Sequence, residues 1–312
     1  MKIIAKQFSR KLGFTLVEML TALAIIAVLV SLIIPALSLV HKSADMVRQK
    51  SQFHSIGIGL EAFRADFGDY PESNDNFLEP DPLLLDRYFG AEKLAEAMVG
   101  QDGFGFHPNS EFRRDGYQTD TDEDGNDEPL YKPEVDEYID DKFPPEDVER
   151  EKRENLAMRK GPYLELETAN AVRLKDLYRP PNLFIAPIYE EFVLADVFGV
   201  VRHLRTGKKT GMPILYYRAN TLNFEHNPAG PFDENIYNFD DNKFIIDLSP
   251  PWDSLASHPM ENDPGIFYEN TRNPNFDIPP RPYRSDSFIL LSAGPDGLYG
   301  TGDDVFNFDE AE

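Results

Sequence analysis

Apolar residues fall along this chain in three regimes. From Met19 to Val40, 22 consecutive residues carry no charge, enough helix at 1.5 Å per residue to span the roughly 30 Å hydrocarbon core of a bilayer. Beyond it the pattern becomes periodic: Phe53, Ile56, Leu60, Phe63 and Phe67 recur at alternating spacings of three and four, which places one apolar stripe on one helix face. Gly68 followed by Tyr70-Pro71 supplies the stop. The two regimes together predict one helix from about Thr15 to Phe67, on the order of 80 Å long. Pro35 within it removes a hydrogen bond and crowds the preceding carbonyl, which predicts a kink or a melted turn. After Gly161 the text turns to short β-type runs, Leu183–Ile188, Phe192–Val201, Ile214–Arg218, Phe244–Leu248 and Phe288–Ser292, separated by Pro-, Gly- and Asn-rich turns. The helix stripe needs a cover, so the expected fold class is α+β, with an antiparallel sheet packed on that stripe.

Charge alters the reading of the middle. The net charge of the 312 residues is −24, which argues against a nucleic-acid partner, because phosphate binding needs concentrated Lys and Arg. Half of that excess comes from Gln101–Glu154, with 19 acidic against 7 basic residues. The stretch from Glu79 to about Glu154 therefore reads as a solvated insertion, with a helix near Glu146–Lys160 ended by Gly161-Pro162. The absence of cysteine excludes a disulfide framework, thiolate metal sites and cysteine nucleophiles.

Lys2, Lys6, Arg10 and Lys11 precede the apolar run with no acid among residues 1–13. By the positive-inside tendency the N-terminus stays in the cytoplasm and everything after Val40 lies beyond the membrane. A cleaved signal peptide is the alternative; its apolar region is typically about 7 to 15 residues long and ends at a small-residue site, for which Ala36-Leu37-Ser38 offers a weak match. One acid, Glu18, sits at the start of the apolar run, where an unpartnered carboxylate costs a few kcal/mol or more.

The basic leader, Gly13-Phe14-Thr15-Leu16-Val17-Glu18 and the long apolar helix with Pro35 resemble the signature of type IV prepilins and type II secretion pseudopilins. The resemblance implies that a prepilin peptidase cuts between Gly13 and Phe14 and methylates the new amine, leaving the helix in the mature protein. It also gives Glu18 a partner: a cationic amine at Phe14, on its own chain or on a staggered neighbour, so that an intermolecular pair sets subunit register. Leu60–Ser73, Gly161–Glu165 and Ile214–Asn220 are similar to recurrent pseudopilin segments, so the likeness covers both ends of the chain well and the middle poorly. The expected organisation is a leader over 1–13, a transmembrane and assembly helix over 14–40, its amphipathic extension over 41–70, an acidic insertion over 71–160, and a β-rich pilin-like domain over 161–312.

Two loops carry candidate metal chemistry. Ser292–Val305, SAGPDGLYGTGDDV, combines glycines that permit tight reversal with Asp296, Asp303 and Asp304, and calcium accepts six to eight such oxygens. The stretch also resembles the calcium loop of major pseudopilins, which implies Asp296, Asp303 and Asp304 as ligands, with Thr301 and the Leu291 carbonyl as further ones; a plain Asp-Gly turn with solvated acids is the alternative. DTDEDGND repeats the first half of an EF-hand loop with Asp120, Asp122, Asp124 and Gly125, but position twelve is Tyr131 rather than a bidentate Glu. It is a second, weaker calcium candidate, or a solvated acidic run.

Catalytic motifs are missing. There is no HExxH and no GxSxG, Gly207–Gly211 lacks the upstream glycine of a phosphate loop, and the six histidines are scattered without ligand spacing. The resemblance then implies a non-enzymatic structural subunit of a type II secretion pseudopilus, most like the major pseudopilin: a single-pass inner-membrane protein with its C-terminal domain in the periplasm, drawn into a periplasmic helical filament that supports protein secretion. Its expected partners are copies of itself, other pseudopilins, the membrane, the prepilin peptidase and a secretion or pilus assembly platform. A type IV pilus subunit for adhesion or motility, and a membrane-anchored calcium-binding surface protein that never polymerises, are the alternatives.

Overall fold

The computed structural model describes residues 15–74, 88–118, 128–131, 145–179 and 190–308; the run Leu183–Ile188, expected as a strand, lies outside them. By internal contacts the chain divides into two units, Met1–Asp45 and Met46–Glu312.

Helix α1 covers Leu16–Phe67, 52 residues. Its first turn is closed by a reciprocal cap. Thr15 N and Oγ1 each donate to Glu18 Oε2 at 2.8 Å, and Glu18 N donates back to Thr15 Oγ1 at 3.2 Å, the T-x-x-E capping box. The helix is unbroken across Pro35, so no turn melts there; one missing N–H is tolerated when the surrounding bonds hold the helix. In the first unit the apolar side chains that are described, Leu16 to Val40, stand exposed. Among the described residues no helix is long and apolar enough to cross a membrane; the side chains of Leu32, Pro35, Ala36, Ser38 and Leu39 fall outside that description. At the other end Gly68, at φ 89°, turns the chain out of the helix and donates its N–H to Arg64 O at 2.7 Å.

Among the described residues the second unit holds eleven short strands: β1 (Tyr117–Gln118), β2 (Glu128–Pro129), β3 (Ala171–Arg173), β4 (Phe192–Leu194), β5 (Val201–Arg202), β6 (Lys209–Thr210), β7 (Leu215–Arg218), β8 (Arg272–Asp277), β9 (Pro280–Pro282), β10 (Phe288–Ser292) and β11 (Val305–Phe306). A single sheet was expected; among the described residues there are five small antiparallel ones instead, four of them hairpin-like pairs. The exception is central, in the order β11-β10-β7, with Phe288 opposite Arg218 and Leu291 opposite both Leu215 and Phe306. Alternation across the pleat gives it two buried faces. Tyr216, Phe288 and Leu290 join the stripe of Phe53, Ile56, Leu60 and Phe63, while Leu215, Tyr217, Ile289 and Leu291 join Tyr237, Ile245, Ile246, Phe267 and Tyr299. That double burial explains why β7 and β10 read as continuous apolar runs.

Two expectations fail here for identifiable reasons. Phe244–Leu248 is not a strand; Lys243–Asp247 forms a short helix with Ile245 and Ile246 buried, Lys243 paired to Asp247 at 2.6 Å and Phe244 stacked on Phe89 at 4.8 Å. A five-residue apolar run fits either a buried strand or a buried helix turn, and packing decides. The solvated insertion fails more broadly. Helix α2, Gly90–Val99, is buried along its whole length, including Glu92, Lys93 and Glu96. Glu92 and Lys93 each face an opposite charge, Arg114 Nη2 at 2.9 Å from Glu92 and Glu72 at 3.2 Å from Lys93 Nζ, while Glu96 accepts from the neutral Ser110 Oγ at 2.5 Å and Gln101 Nε2 at 3.0 Å. Matched charges are tolerated inside, so an acidic composition did not mean a solvated segment. Helix α3, Pro145–Met158, lies where the sequence places it.

Candidate functional site

Two places in the chain carry the features that the sequence singles out. At the N-terminus, Gly13 and Phe14 lie outside the described residues. Glu18 is described, and its carboxylate is held by Thr15 within the same chain, the local pairing that competes with an intermolecular role. The T-x-x-E spacing that produces this cap is visible in the sequence.

The second place is the loop from the end of β10 to β11. It is rooted in a carboxylate that sequence reasoning missed, Asp196, fully buried. Asp196 Oδ1 accepts from the backbone N–H of Phe198 at 3.1 Å and of Met212 at 3.2 Å, and Asp196 Oδ2 accepts from Ser292 Oγ at 2.8 Å. Ser292 Oγ in turn accepts from Gly294 N at 3.2 Å. Burial pushes the Asp196 carboxyl up to about 8, the hydrogen bonds from Ser292, Phe198 and Met212 opposing it. The same Asx turn interrupts the strand expected over Phe192–Val201, which survives only as β4 and the start of β5. Nothing local in the sequence marks Asp196 as buried; its partners lie 16 and 96 residues away.

Within the loop, Asp303 Oδ2 accepts from Asp296 N at 3.1 Å and Asp303 Oδ1 from Thr301 Oγ1 at 2.5 Å. Asp296 Oδ1 accepts from Leu298 N at 2.8 Å, and Asp304 Oδ2 from Gly300 N at 2.8 Å. Asp304 Oδ1 is buried with no hydrogen-bond partner. Burial first, then the charges of Asp296 and Asp303, lift the Asp304 carboxyl to about 8; Asp296 is also raised, by burial and then by Asp303. Leu291 is not part of the loop but sits within β10, paired to Leu215 and Phe306; the carbonyl beside Thr301 is that of Leu298, 3.3 Å from its hydroxyl. The loop thus offers only oxygen donors, one of them orphaned, a chemistry that suits a hard cation such as calcium. Yet among the described residues no group of three or more His, Asp or Glu side chains is arranged to hold a metal ion. The second calcium candidate, Asp120, Asp122 and Asp124, lies outside the described residues.

Of the scattered histidines, His107 and His258 are core residues whose burial lowers them to about 4. His258 Nδ1 accepts from Tyr299 N at 3.1 Å, tying its segment to the C-terminal loop.

Residues 8–34 match the family model for the prokaryotic N-terminal methylation motif. No curated protein and no solved structure matches the chain. The motif indicates a type IV pilin-like or pseudopilin protein, anchored at the membrane, processed by prepilin peptidase and assembled with other pilins.

Proposed function

We propose that this pilin-like chain is a structural subunit of a type II secretion pseudopilus, working by assembly rather than catalysis. The observation that carries the reading is the methylation motif over residues 8–34 with Glu18 in the first turn of α1; the likeness of Leu60–Ser73 and of the C-terminal loop to major pseudopilins narrows it from pili to secretion. Prepilin peptidase cuts after Gly13, and the Met19–Val40 segment holds the mature subunit in the inner membrane until the assembly platform draws it into a periplasmic filament. Glu18 then exchanges partners. A neighbour's cationic Phe14 amine supplies the full opposite charge that the neutral N–H and O–H donors of Thr15 lack. In the outer domain, Asp296, Asp303, Asp304 and Thr301 hold a calcium ion that offsets their mutual repulsion.

Intact mass of the membrane-extracted protein tests the first step. The expected product begins at Phe14, carries one methyl group and retains Met19–Val40, and Gly13→Ala leaves the uncut precursor. A product beginning near Leu39 sinks the reading in favour of an ordinary signal peptide. Deleting the chain from its host separates the uses: loss of an exported protein supports secretion, whereas loss of adhesion or motility with export intact assigns it to a pilus.

A further inference from the structure

A filament of identical subunits needs a contact whose two halves lie on different patches, because only a head-to-tail interface extends without closing. The second unit carries such a pair. Between α1 and β11 lies a groove of about 470 Å³, floored by Phe288, Phe306 and Phe308 and edged by Lys50, Ile58 and Arg284. Ile58 stands 58% exposed on it. Glu61, the acid on its wall among the described residues, accepts from Tyr70 OH at 2.6 Å and keeps its charge, but the two cations of Lys50 and Arg284 outnumber it.

The complementary shape is the turn Pro250–Ala256. Asp253 N donates to Pro250 O at 3.0 Å, Ala256 N to Asp253 O at 3.2 Å, and Leu255 N to Asp253 Oδ1 at 3.0 Å. This fixed turn presents Leu255, 96% exposed, with Trp252 half-exposed beside it, and Asp253 is the charge it carries. A rigid apolar tip loses little freedom on docking. Trp252 packs over Gly297, where an added Cβ would meet its ring at 2.4 Å, and so the turn sits by the loop that leaves the Ser292 end of β10. The groove runs along the sheet from Phe306, opposite Leu291, to Phe288 and Arg284. Leu222 and Ile278 are also exposed, but they belong to turns that join the sheet at its Phe288 end, beside the groove. The Leu255 turn combines an apolar tip with an acid.

We propose that the Pro250–Ala256 turn of one copy docks into the α1–β11 groove of the next, Leu255 and Trp252 against Ile58, Phe306 and Phe308, with Asp253 facing Lys50 and Arg284. The proposal rests on the filament reading and names where neighbouring outer domains meet.

Because the chain has no cysteine, introduced thiols report single contacts. In the full-length protein in its membrane, Ile58→Cys with Leu255→Cys should crosslink into a ladder of dimers, trimers and longer species, each single variant should stay monomeric, and the two singles co-expressed should stop at dimers. A second pair, Leu23→Cys with Ile34→Cys, reads packing of the apolar half of α1 alone. A ladder from that pair without one from 58 and 255 overturns the docking and leaves the filament standing; no ladder from either overturns both. Dimers from a single variant mean a symmetric contact and also overturn it. Asp253→Lys in the double-cysteine background should collapse the ladder and Lys50→Asp should restore it; a ladder indifferent to both removes the charge pairing that selects this turn.

Discussion

Gly211 shows how tightly single residues are specified. A Cβ there would lie 1.9 Å from Asp196 Oδ1 and 2.2 Å from Asp196 O, both fixed in place by hydrogen bonds. Gly211→Ala should therefore cost at least the 1–3 kcal/mol typical of overpacking, read as a lower melting temperature in detergent. Asp196 itself predicts a pH effect. Its folded pKa of about 8 exceeds the ordinary carboxylate value, so its contribution is full below about pH 4 and is lost as pH rises through 8. Glu191, raised to about 8 mainly by burial, acts in the same sense. His107 and His258, lowered to about 4, destabilise only as pH falls below about 6.5, so the window from 6.5 to 8 isolates the carboxylates. Without calcium the melting temperature should fall across that window. Asp196→Asn, which keeps two acceptors' worth of oxygen for Phe198 and Met212 and cannot ionise, should flatten part of the slope; an unchanged slope would show that Asp196 is not responsible. At this scale Asp303 and Asp304 were legible as a loop pair, whereas the contact of the Thr301 hydroxyl with the Leu298 carbonyl was not, because it depends on how the loop turns.

Among elements, α1 was the most legible, since its stripe depends only on 3.6-residue periodicity. Phe63 lies 4.5 Å from Phe67, 4.9 Å from Phe106 and 5.9 Å from Tyr163 by ring centroids. Phe63→Ala should cost about 3–5 kcal/mol, whereas Ile58→Ala, on the exposed side five residues earlier, should stay within about 0.5 kcal/mol; equal losses in chemical denaturation would contradict the buried stripe. The first turn makes a different prediction. Glu18→Ala removes a capping-box acid and lightens insertion, so the protein should still reach the membrane, but intersubunit crosslinking along α1 should disappear. Undiminished crosslinking would leave Glu18 as a helix cap and nothing more. Two side chains of α1 lay beyond sequence reading altogether. Gln49 Oε1 accepts from Val197 N at 3.0 Å and Gln52 Nε2 donates to Ala195 O at 2.8 Å; these amides continue the face of the apolar stripe and are buried with it, although their residue type alone suggests solvent.

For the whole molecule, stability should track calcium if the C-terminal loop is a cation site. A ligand that binds only the folded state adds about 2.7 kcal/mol at a hundredfold excess over Kd, so the protein should melt higher with calcium than with chelator. Magnesium should substitute poorly, because it demands a tighter octahedral shell. Asp303→Ala and Asp304→Ala should erase most of the shift and Asp122→Ala should spare it; a melting temperature indifferent to calcium reduces the loop to a turn. The sequence by itself determined what local order can encode: the apolar stretch and its stripe, the stop at Gly68, the runs that become β7 and β10, helix α3 and the N-terminal motif. Each depends on neighbours within a few residues along the chain. Only the tertiary structure decided that α2 with its charges is interior, that Lys243–Asp247 coils into a helix, that five small sheets replace one, and that Asp196 anchors the C-terminal loop. Those outcomes turn on partners about a hundred residues away or more, such as Ser292 for Asp196 and Phe89 for Phe244, and a buried charge is affordable only where a partner arrives.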